Sequence, residues 1–151
     1  MTDTPLDYPQ RQGVLAHLVL DDAAAAIDFY KAAFGAREIA RLPREDGRLL
    51  HAALEINGGT VMLVDEFPDW GTVSPKTLGR TTLTLHQVVD DAQAVFDRAV
   101  AAGATVVMEP REMFWGDLYG IVSDPFGYAW SIGQPLRQLS HDELVAAMKA
   151  Q

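Results

Sequence analysis

The sequence predicts an α+β protein built from two copies of one βαβββ unit, which together form a cupped mixed sheet around a cleft. A phrase near the start, His17 to Asp22 (HLVLDD), returns 69 residues later as His86 to Asp91 (HQVVDD). Each copy leads into an alanine-rich run of helical spacing that ends at a glycine and is followed by an apolar strand. In an internal repeat each residue of one copy has an equivalent in the other, so His17 and His86 occupy pseudo-symmetric positions.

The first half of the chain predicts a strand, a helix and three further strands. The first strand is a short apolar run, and the aspartate pair at its end is suited to cap the helix that follows. That helix carries an apolar stripe and ends at Gly35, which can take the left-handed conformation. Asn57-Gly58 is a hairpin turn. The four strands are predicted at residues 14–20, 37–42, 49–56 and 60–65.

The second half repeats this order of elements. Its last two strands form a hairpin around Asp124-Pro125-Phe126-Gly127, a strong turn signal, and Ser140 with Glu143 makes a capping box for a final helix. Its strands are predicted at residues 80–89, 105–108, 119–123 and 128–132. The predicted organisation is an arm at 1–13, the first module at 14–65, a linker at 66–79, the second module at 80–133 and a C-terminal helical segment at 134–151.

Composition narrows the class of partner. The chain has 151 residues, 48% of them hydrophobic, and a formal charge of −9 from 12 basic and 21 acidic side chains. This balance argues against nucleic acid, whose binding needs basic residues on phosphates. The absence of cysteine excludes disulfides, thiolate metal ligands and a cysteine nucleophile. No signal peptide and no run of about 20 apolar residues is visible, so we expect a cytoplasmic protein that does not enter a membrane.

Several phrases carry a family resemblance. They are DAAAAIDFY at 22–30 with Phe34-Gly35, AAGA at 101–104, FWGDLYG at 114–120, and DPFG at 124–127 with Trp130. In the paired βαβββ layout these phrases resemble the vicinal oxygen chelate superfamily, which holds glyoxalase I, extradiol dioxygenases, fosfomycin-resistance enzymes and bleomycin-resistance proteins. They look most like its PhnB-like branch, over about residues 14 to 132. They are specific for the fold and weak for any one reaction, because one fold hosts many functions.

The resemblance implies four metal-ligand positions, one each on the first, fourth, fifth and eighth strands. Matched on the family phrases, they fall at Leu15, Leu63, Thr84 and Ser131. None of these residues is a usual ligand, since borderline divalent metals prefer imidazole, thiolate or carboxylate groups. The sequence therefore predicts that the usual metal site is lost and that no cofactor is held there. Trp130, of opposite parity to Ser131, is expected to pack under a helix.

A displaced metal site is the alternative. Side chains two residues apart on a strand point to the same face. A step of two residues from Leu15, Leu63 and Thr84 leads to His17, Asp65 and His86, respectively. Two histidines and a carboxylate can form a facial triad for zinc, nickel or iron. The same histidines could instead form hydrogen bonds in a polar cleft, or act as acid and base near neutral pH.

The leading interpretation is a bleomycin-resistance-like protein that binds a small aromatic or cationic molecule in the cleft without the usual metal. Aromatic residues around Trp115-Gly116 offer a stacking surface, to which Trp70 of the linker could add, although such side chains also often pack inward. The predicted ligand-binding residues are His17, Asp65, His86, Phe114, Trp115 and Tyr119.

Two other functions stay open. One is a metal-dependent lyase or isomerase of the glyoxalase kind, or a dioxygenase, using the displaced His17, Asp65 and His86 site. The other is a scaffold or subunit whose cleft is unused. On resemblance alone we expect a homodimer, and a role in antibiotic resistance is compatible with the leading interpretation.

Overall fold

The computed structural model describes residues 13–151, so the predicted N-terminal arm, except Gly13, lies outside the described residues. The first unit consists of β1 (Ala16–Leu20), α1 (Ala23–Phe34), β2 (Arg37–Pro43), β3 (Leu49–Ile56) and β4 (Gly59–Asp65). A 3₁₀ turn (Pro68–Trp70) and the short helix α2 (Pro75–Leu78) follow. The second unit consists of β5 (Thr84–Val88), α3 (Ala92–Ala102), β6 (Thr105–Glu112), β7 (Asp117–Ser123) and β8 (Ala129–Pro135), and α4 (His141–Lys149) ends the chain.

The strands form two four-stranded mixed sheets with the same internal order. The first sheet has the order β1-β4-β3-β2 and the second has the order β5-β8-β7-β6. In each sheet the first strand of the unit pairs in parallel with the last, and the other pairings are antiparallel. This confirms the predicted α+β fold and its internal repeat. Among residues 13–151, no helix is long and apolar enough to cross a lipid bilayer.

Several elements of the structure differ from the prediction, chiefly in the linker and the second unit. β5 begins at Thr84 rather than at residue 80, and the predicted linker contains α2. β6 continues to Glu112 and so runs through Pro110, whereas the prediction ended the strand at Met108. A proline fits because β6 is an edge strand whose pairing with β7 is irregular between Met108 and Arg111, so the missing N–H breaks no regular ladder.

The repeated aspartates begin the two long helices. The side chain of Asp22 accepts a hydrogen bond from the backbone N–H of Ala25 at 3.0 Å, and Asp91 accepts one from Ala94 at the same distance. These are N-caps that satisfy amide groups left unpaired in the first helical turn. The predicted aspartate caps are therefore confirmed in both halves.

An aromatic cluster joins the two units. Tyr30 of α1 lies 5.3 Å from the ring of Trp130 in β8, and Phe29 lies 6.0 Å from Phe126 in the β7–β8 turn. Trp130 is 1% exposed, which confirms that it packs in the core. Because the helices of both halves contribute to one continuous buried cluster, neither unit closes a core alone.

Asp124 is the polar centre of this cluster. Its Oδ2 accepts hydrogen bonds from the Tyr30 hydroxyl at 2.6 Å and from the Trp130 indole N–H at 2.9 Å. Its Oδ1 accepts the backbone N–H groups of Phe126 and Tyr128, each at 2.9 Å. Burial nevertheless raises the pKa of Asp124, because desolvation outweighs these hydrogen bonds. Burial, and then the charge of Asp124, raises the pKa of Tyr30 well above its usual value.

We expect Asp124→Asn to lower the free energy of unfolding by about 3 kcal/mol, because an amide cannot accept all four donors and turns its own N–H₂ toward some of them. Chemical denaturation at neutral pH measures this loss. Glu55→Gln is the matched control at the repeat-related position 69 residues earlier. Glu55 forms a partly exposed ion pair with Arg37, so its loss is expected to cost about 1 kcal/mol or less. Equal losses in the two variants would contradict the central role of Asp124.

The raised pKa of Asp124 also predicts a pH dependence. The folded state holds the Asp124 proton to higher pH than the unfolded chain does, and this difference adds to the free energy of unfolding. The added stability is fully present below pH 3.8, the ordinary pKa of an aspartate, and is lost as pH rises through the raised pKa of Asp124. We expect the stability of the wild-type protein, relative to Asp124→Asn, to fall across that window. Parallel urea titrations of both proteins at a series of pH values measure the difference, and a difference that does not change with pH would contradict the prediction.

Candidate functional site

The second sheet has one face in the core and one open face, and the open face carries His86 and Tyr119. Leu85 pairs with Trp130 in the β5–β8 ladder, and both pack against the core. The next pair along, His86 and Ser131, points to the other side because side chains alternate along a strand. Here "the open face" means this side of the second sheet.

His86 is held on the open face by its neighbours. Its Nδ1 lies 2.7 Å from the Oγ of Ser131, which is 2% exposed. Gly133, two residues further along β8, leaves room for the ring, since a Cβ there would lie 2.9 Å from Cε1 and 3.2 Å from Nε2 of His86. The Oδ2 of Asp117 lies 3.4 Å from the same point. The imidazole therefore sits over a glycine, and the Asp117 carboxylate borders the same space above Gly133.

Aromatic rings extend from His86 in a chain of contacts. The imidazole stacks on Tyr119 with a centroid distance of 5.9 Å and an interplanar angle of 28°. Tyr119 meets Trp115 edge to face at 5.2 Å, and Trp115 meets Phe114 at 5.1 Å. The register explains the first contact, because Tyr119 pairs directly with Gly133, over which His86 lies. We call these four residues the aromatic array.

A tight turn holds the tryptophan of the array. The N–H of Gly116 donates to Met113 O at 3.0 Å, and Met113 N–H donates to Asp117 O at 2.8 Å. Gly116 has φ of +102°, and a Cβ there would lie 2.5 Å from the carbonyl oxygen of Arg137. Only glycine fits this position, both for its backbone angle and for the close approach. The turn therefore places Trp115 in a defined position.

Four of the predicted ligand-binding residues thus come together: His86, Phe114, Trp115 and Tyr119. Their binding role remains a prediction. His17 lies in β1 of the first sheet, on the side opposite the buried Leu18. Its charge, after the larger effect of burial, lowers the pKa of His51 in β3, so these two histidines are near each other.

The structure corrects the predicted position of Asp65. Its carboxylate is 5% exposed and accepts the backbone N–H of Ala23 at 2.8 Å and that of Leu49 at 2.6 Å. It therefore lies on the helix side of the first sheet and supports the start of α1. The prediction that Asp65 shares a face with His17 is wrong. The error is one residue of register, because the β4 residue paired with His17 is Met62.

The same correction moves one of the four family metal positions. Leu63 is fully buried in the core, so Met62 is the β4 residue on the family's metal face. The repeat could have identified this position, because Met62 lies 69 residues before Ser131, the same spacing that relates His17 to His86. With Leu15 and Thr84 the set is then one aliphatic, one thioether and two hydroxyl side chains. This donor set does not fit a divalent metal of the glyoxalase kind.

The alternative metal site is not assembled either. Within residues 13–151, no three histidine, aspartate or glutamate side chains are grouped closely enough to hold a metal ion. His17, Asp65 and His86 all fall in this range, and both oxygens of Asp65 accept backbone hydrogen bonds. The displaced triad is therefore not formed.

Trp70 lies away from the aromatic array. It stacks on Phe67 at 4.6 Å and borders a hollow of about 330 Å³ beside Arg44 and Arg48. The prediction grouped Trp70 with Trp115, but among residues 13–151 the ring that Trp70 stacks on is that of Phe67. No local pattern marks this hollow, because its walls come from the β2–β3 hairpin and from the segment after β4.

Comparison with known proteins agrees with this architecture. The Glyoxalase/Bleomycin resistance protein/Dioxygenase superfamily profile matches residues 13–132. Rv0887c of Mycobacterium tuberculosis is 54% identical over 138 residues, which cover 89% of this chain and 81% of that protein.

Two solved structures share the fold with sequence identity above a quarter. TioX from Micromonospora sp. ML1 superposes with a TM-score of 0.65 at 31% identity, over 82% of this chain and all of TioX. The Arabidopsis thaliana At5g48480 product gives a TM-score of 0.65 at 26% identity, over 81% of this chain and 98% of that one. By profile, sequence and fold, the chain belongs to the Glyoxalase/Bleomycin resistance protein/Dioxygenase superfamily.

Proposed function

We propose that the open face of the second sheet binds a small flat molecule, aromatic or cationic, without a metal at the family positions. The observation that supports this most directly is the aromatic array: four rings in a continuous chain of contacts that runs from the open face of the second sheet to the β6–β7 turn. Its three larger rings are half-buried and His86 is exposed, so each keeps surface for a ligand. Ligand sites of this kind combine apolar rings with a few placed polar groups.

The chemistry of the array favours a planar ligand with little or no negative charge. Aromatic contacts contribute about 0.5–1.5 kcal/mol each beyond the area they bury. A cation over the face of Trp115 or Tyr119 would gain a further electrostatic attraction, and the carboxylate of Asp117, which borders the space above Gly133, would supply a counter-charge. The net charge of −9 also favours the approach of cations over that of anions.

His86 is suited to orient such a ligand. Ser131 engages Nδ1, which leaves Nε2 as the ring nitrogen available to a ligand. Whether Nε2 donates or accepts depends on which nitrogen carries the proton, and a serine hydroxyl is compatible with both forms. The histidine can therefore form a directed hydrogen bond while the neighbouring rings provide the contact area.

A metal-dependent enzyme has less support. The family ligand positions carry unsuitable side chains, and the displaced triad is not formed within the described residues. The proposed binding therefore does not depend on a divalent metal, and a chelator is expected to leave it unchanged.

The homodimer, the cytoplasmic location and a part in antibiotic resistance remain predictions that rest on the resemblance. Light scattering of the purified protein measures the first, cell fractionation the second, and drug susceptibility of cells that express the chain the third.

Binding to the array is expected to change the fluorescence of Trp115. We expect at least one member of a panel of bleomycin-like and other aromatic compounds, including aromatic cations, to quench or shift the emission, with and without chelator. Trp115→Phe should lose most of the signal, whereas the matched variant Trp70→Phe should keep it. If no compound changes the emission, or if only Trp70→Phe abolishes the response, the proposal fails.

Gly133→Ala tests the position of His86. The new methyl group would lie 2.9 Å from the imidazole and must displace the ring from its position against Ser131 and Tyr119, so we expect affinity for the ligand found above to fall about tenfold, or about 1.4 kcal/mol. Gly59→Ala is the control, because a Cβ there meets only the Ile56 carbonyl oxygen at an ordinary 3.6 Å. Imidazole NMR signals and ligand titrations measure both effects. Unchanged affinity with a displaced His86 signal would exclude the histidine from the site.

A further inference from the structure

A second pocket lies where the β2–β3 hairpin meets the segment after β4. We propose that it binds an aromatic ring that carries one anionic group, a carboxylate or a phosphate monoester. We call it the arginine pocket, and its lining residues are Arg44, Asp46, Arg48, Phe67, Pro68, Asp69 and Trp70. It shares no residue with the aromatic array and takes the opposite charge, so this inference stands independently of the proposed function.

Two arginines face each other across the hairpin. The N–H of Arg44 donates to the carbonyl oxygen of Arg48 at 2.7 Å, so the two residues lie opposite one another. Like charges directly opposite are destabilising in a strand pair. Both guanidinium groups also converge on one ring, with their central carbons 5.4 Å and 4.3 Å from the centroid of Phe67. The two guanidinium groups thus bring their N–H donors to one place, an arrangement that suits an anion.

Most hydrogen-bond donors of these arginines remain available. Each guanidinium has five N–H groups in a planar fork that matches carboxylate and phosphate. Among residues 13–151, the Arg48 side chain forms one hydrogen bond, to the carbonyl oxygen of Glu66. Arg44 has a loose 3.8 Å ion pair with Asp46. By contrast, Arg41 is engaged by Glu38 through two hydrogen bonds.

An exposed tryptophan completes the pocket. Phe67 is 6% exposed and forms the floor, and Trp70 stacks on it with an interplanar angle of 29°. Trp70 is itself 66% exposed, which leaves its ring available to a further planar group. The turn is closed by hydrogen bonds, from Trp70 N–H to Phe67 O at 2.8 Å and from Phe67 N–H to Thr72 Oγ1 at 3.0 Å. The indole is therefore held in place before any ligand arrives.

Size and charge limit the ligand. The hollow of about 330 Å³ lies at the small end of ligand pockets, which suits one ring with one acid group. The carboxylates of Asp46 and Asp69 on the lining balance the formal charges of the two arginines. The guanidinium N–H donors, rather than a net positive charge, would therefore hold the ligand, and a single anionic group fits better than a polyphosphate.

The repeat shows that the fold does not impose this pocket. In the second unit, the position related to Arg48 is Asp117 and the position related to Phe67 is Leu136. The same backbone framework therefore carries neither the cation nor the aromatic floor there. The arginine pocket is a property of the side chains of the first unit.

The test uses the indole N–H signals of the full-length protein in ¹⁵N NMR. The chain has three tryptophans, so Trp→Phe variants assign each signal. We expect benzoate or phenyl phosphate to shift the Trp70 signal in a saturable way and to leave Trp130 unmoved. Benzamide and benzylamine should bind at least tenfold more weakly. A stronger response to phenyl phosphate identifies a phosphate site, and a stronger response to benzoate identifies a carboxylate site.

Arginine variants complete the experiment. Arg44→Gln should weaken binding about tenfold without disturbing the fold, because Arg44 makes no side-chain hydrogen bond within residues 13–151, and Arg48→Gln should weaken it at least as much. Arg111→Gln, on the exposed part of β6, is the control and should bind like the wild type. The inference is overturned if neither anion shifts Trp70, if benzylamine binds as tightly as the anions, if inorganic phosphate binds as tightly as phenyl phosphate, or if Arg44→Gln binds unchanged in a folded protein.

Discussion

The fold depends on one buried carboxylate. Asp124 accepts hydrogen bonds from Tyr30 of the first half and from Trp130 and two backbone amides of the second, so it joins the two units at their common core. Next to it, the Tyr128 hydroxyl binds both the N–H and the carbonyl oxygen of Val19, on the outer edge of β1. A buried charge is tolerated only when such partners surround it, so a change to one partner affects the whole junction.

Within one strand, β8, neighbouring residues serve the core on one face of the sheet and the candidate binding site on the other. Trp130 turns inward to Asp124, whereas Ser131, the next residue, turns outward and holds His86. Strand alternation thus lets one strand serve the core on one side and the candidate binding face on the other. The outer face can therefore change its residues while the inner face keeps the two halves together.

The two units share a framework and differ in their side chains. Both keep the aspartate cap and the same strand order, which come from local spacing and from the repeat. At corresponding turns, the second unit carries Trp115 next to a carboxylate, and the first carries Arg44 and Arg48 next to Trp70. Under the two proposals made above, one framework supports two surfaces of opposite charge preference, one on each half.

The sequence by itself determined the repeat, the order of elements and the aspartate caps, and it showed which side chain types stand at Leu15, Thr84 and Ser131, from which the loss of the usual metal site is predicted. These depend on residue type and on spacing along the chain. Tertiary structure alone decided which face Asp65 takes, which four donors meet at Asp124, and that two arginines converge on Phe67. Each of these depends on strand register or on segments far apart in the chain, and a one-residue difference in register reverses a side chain's face without changing any local pattern.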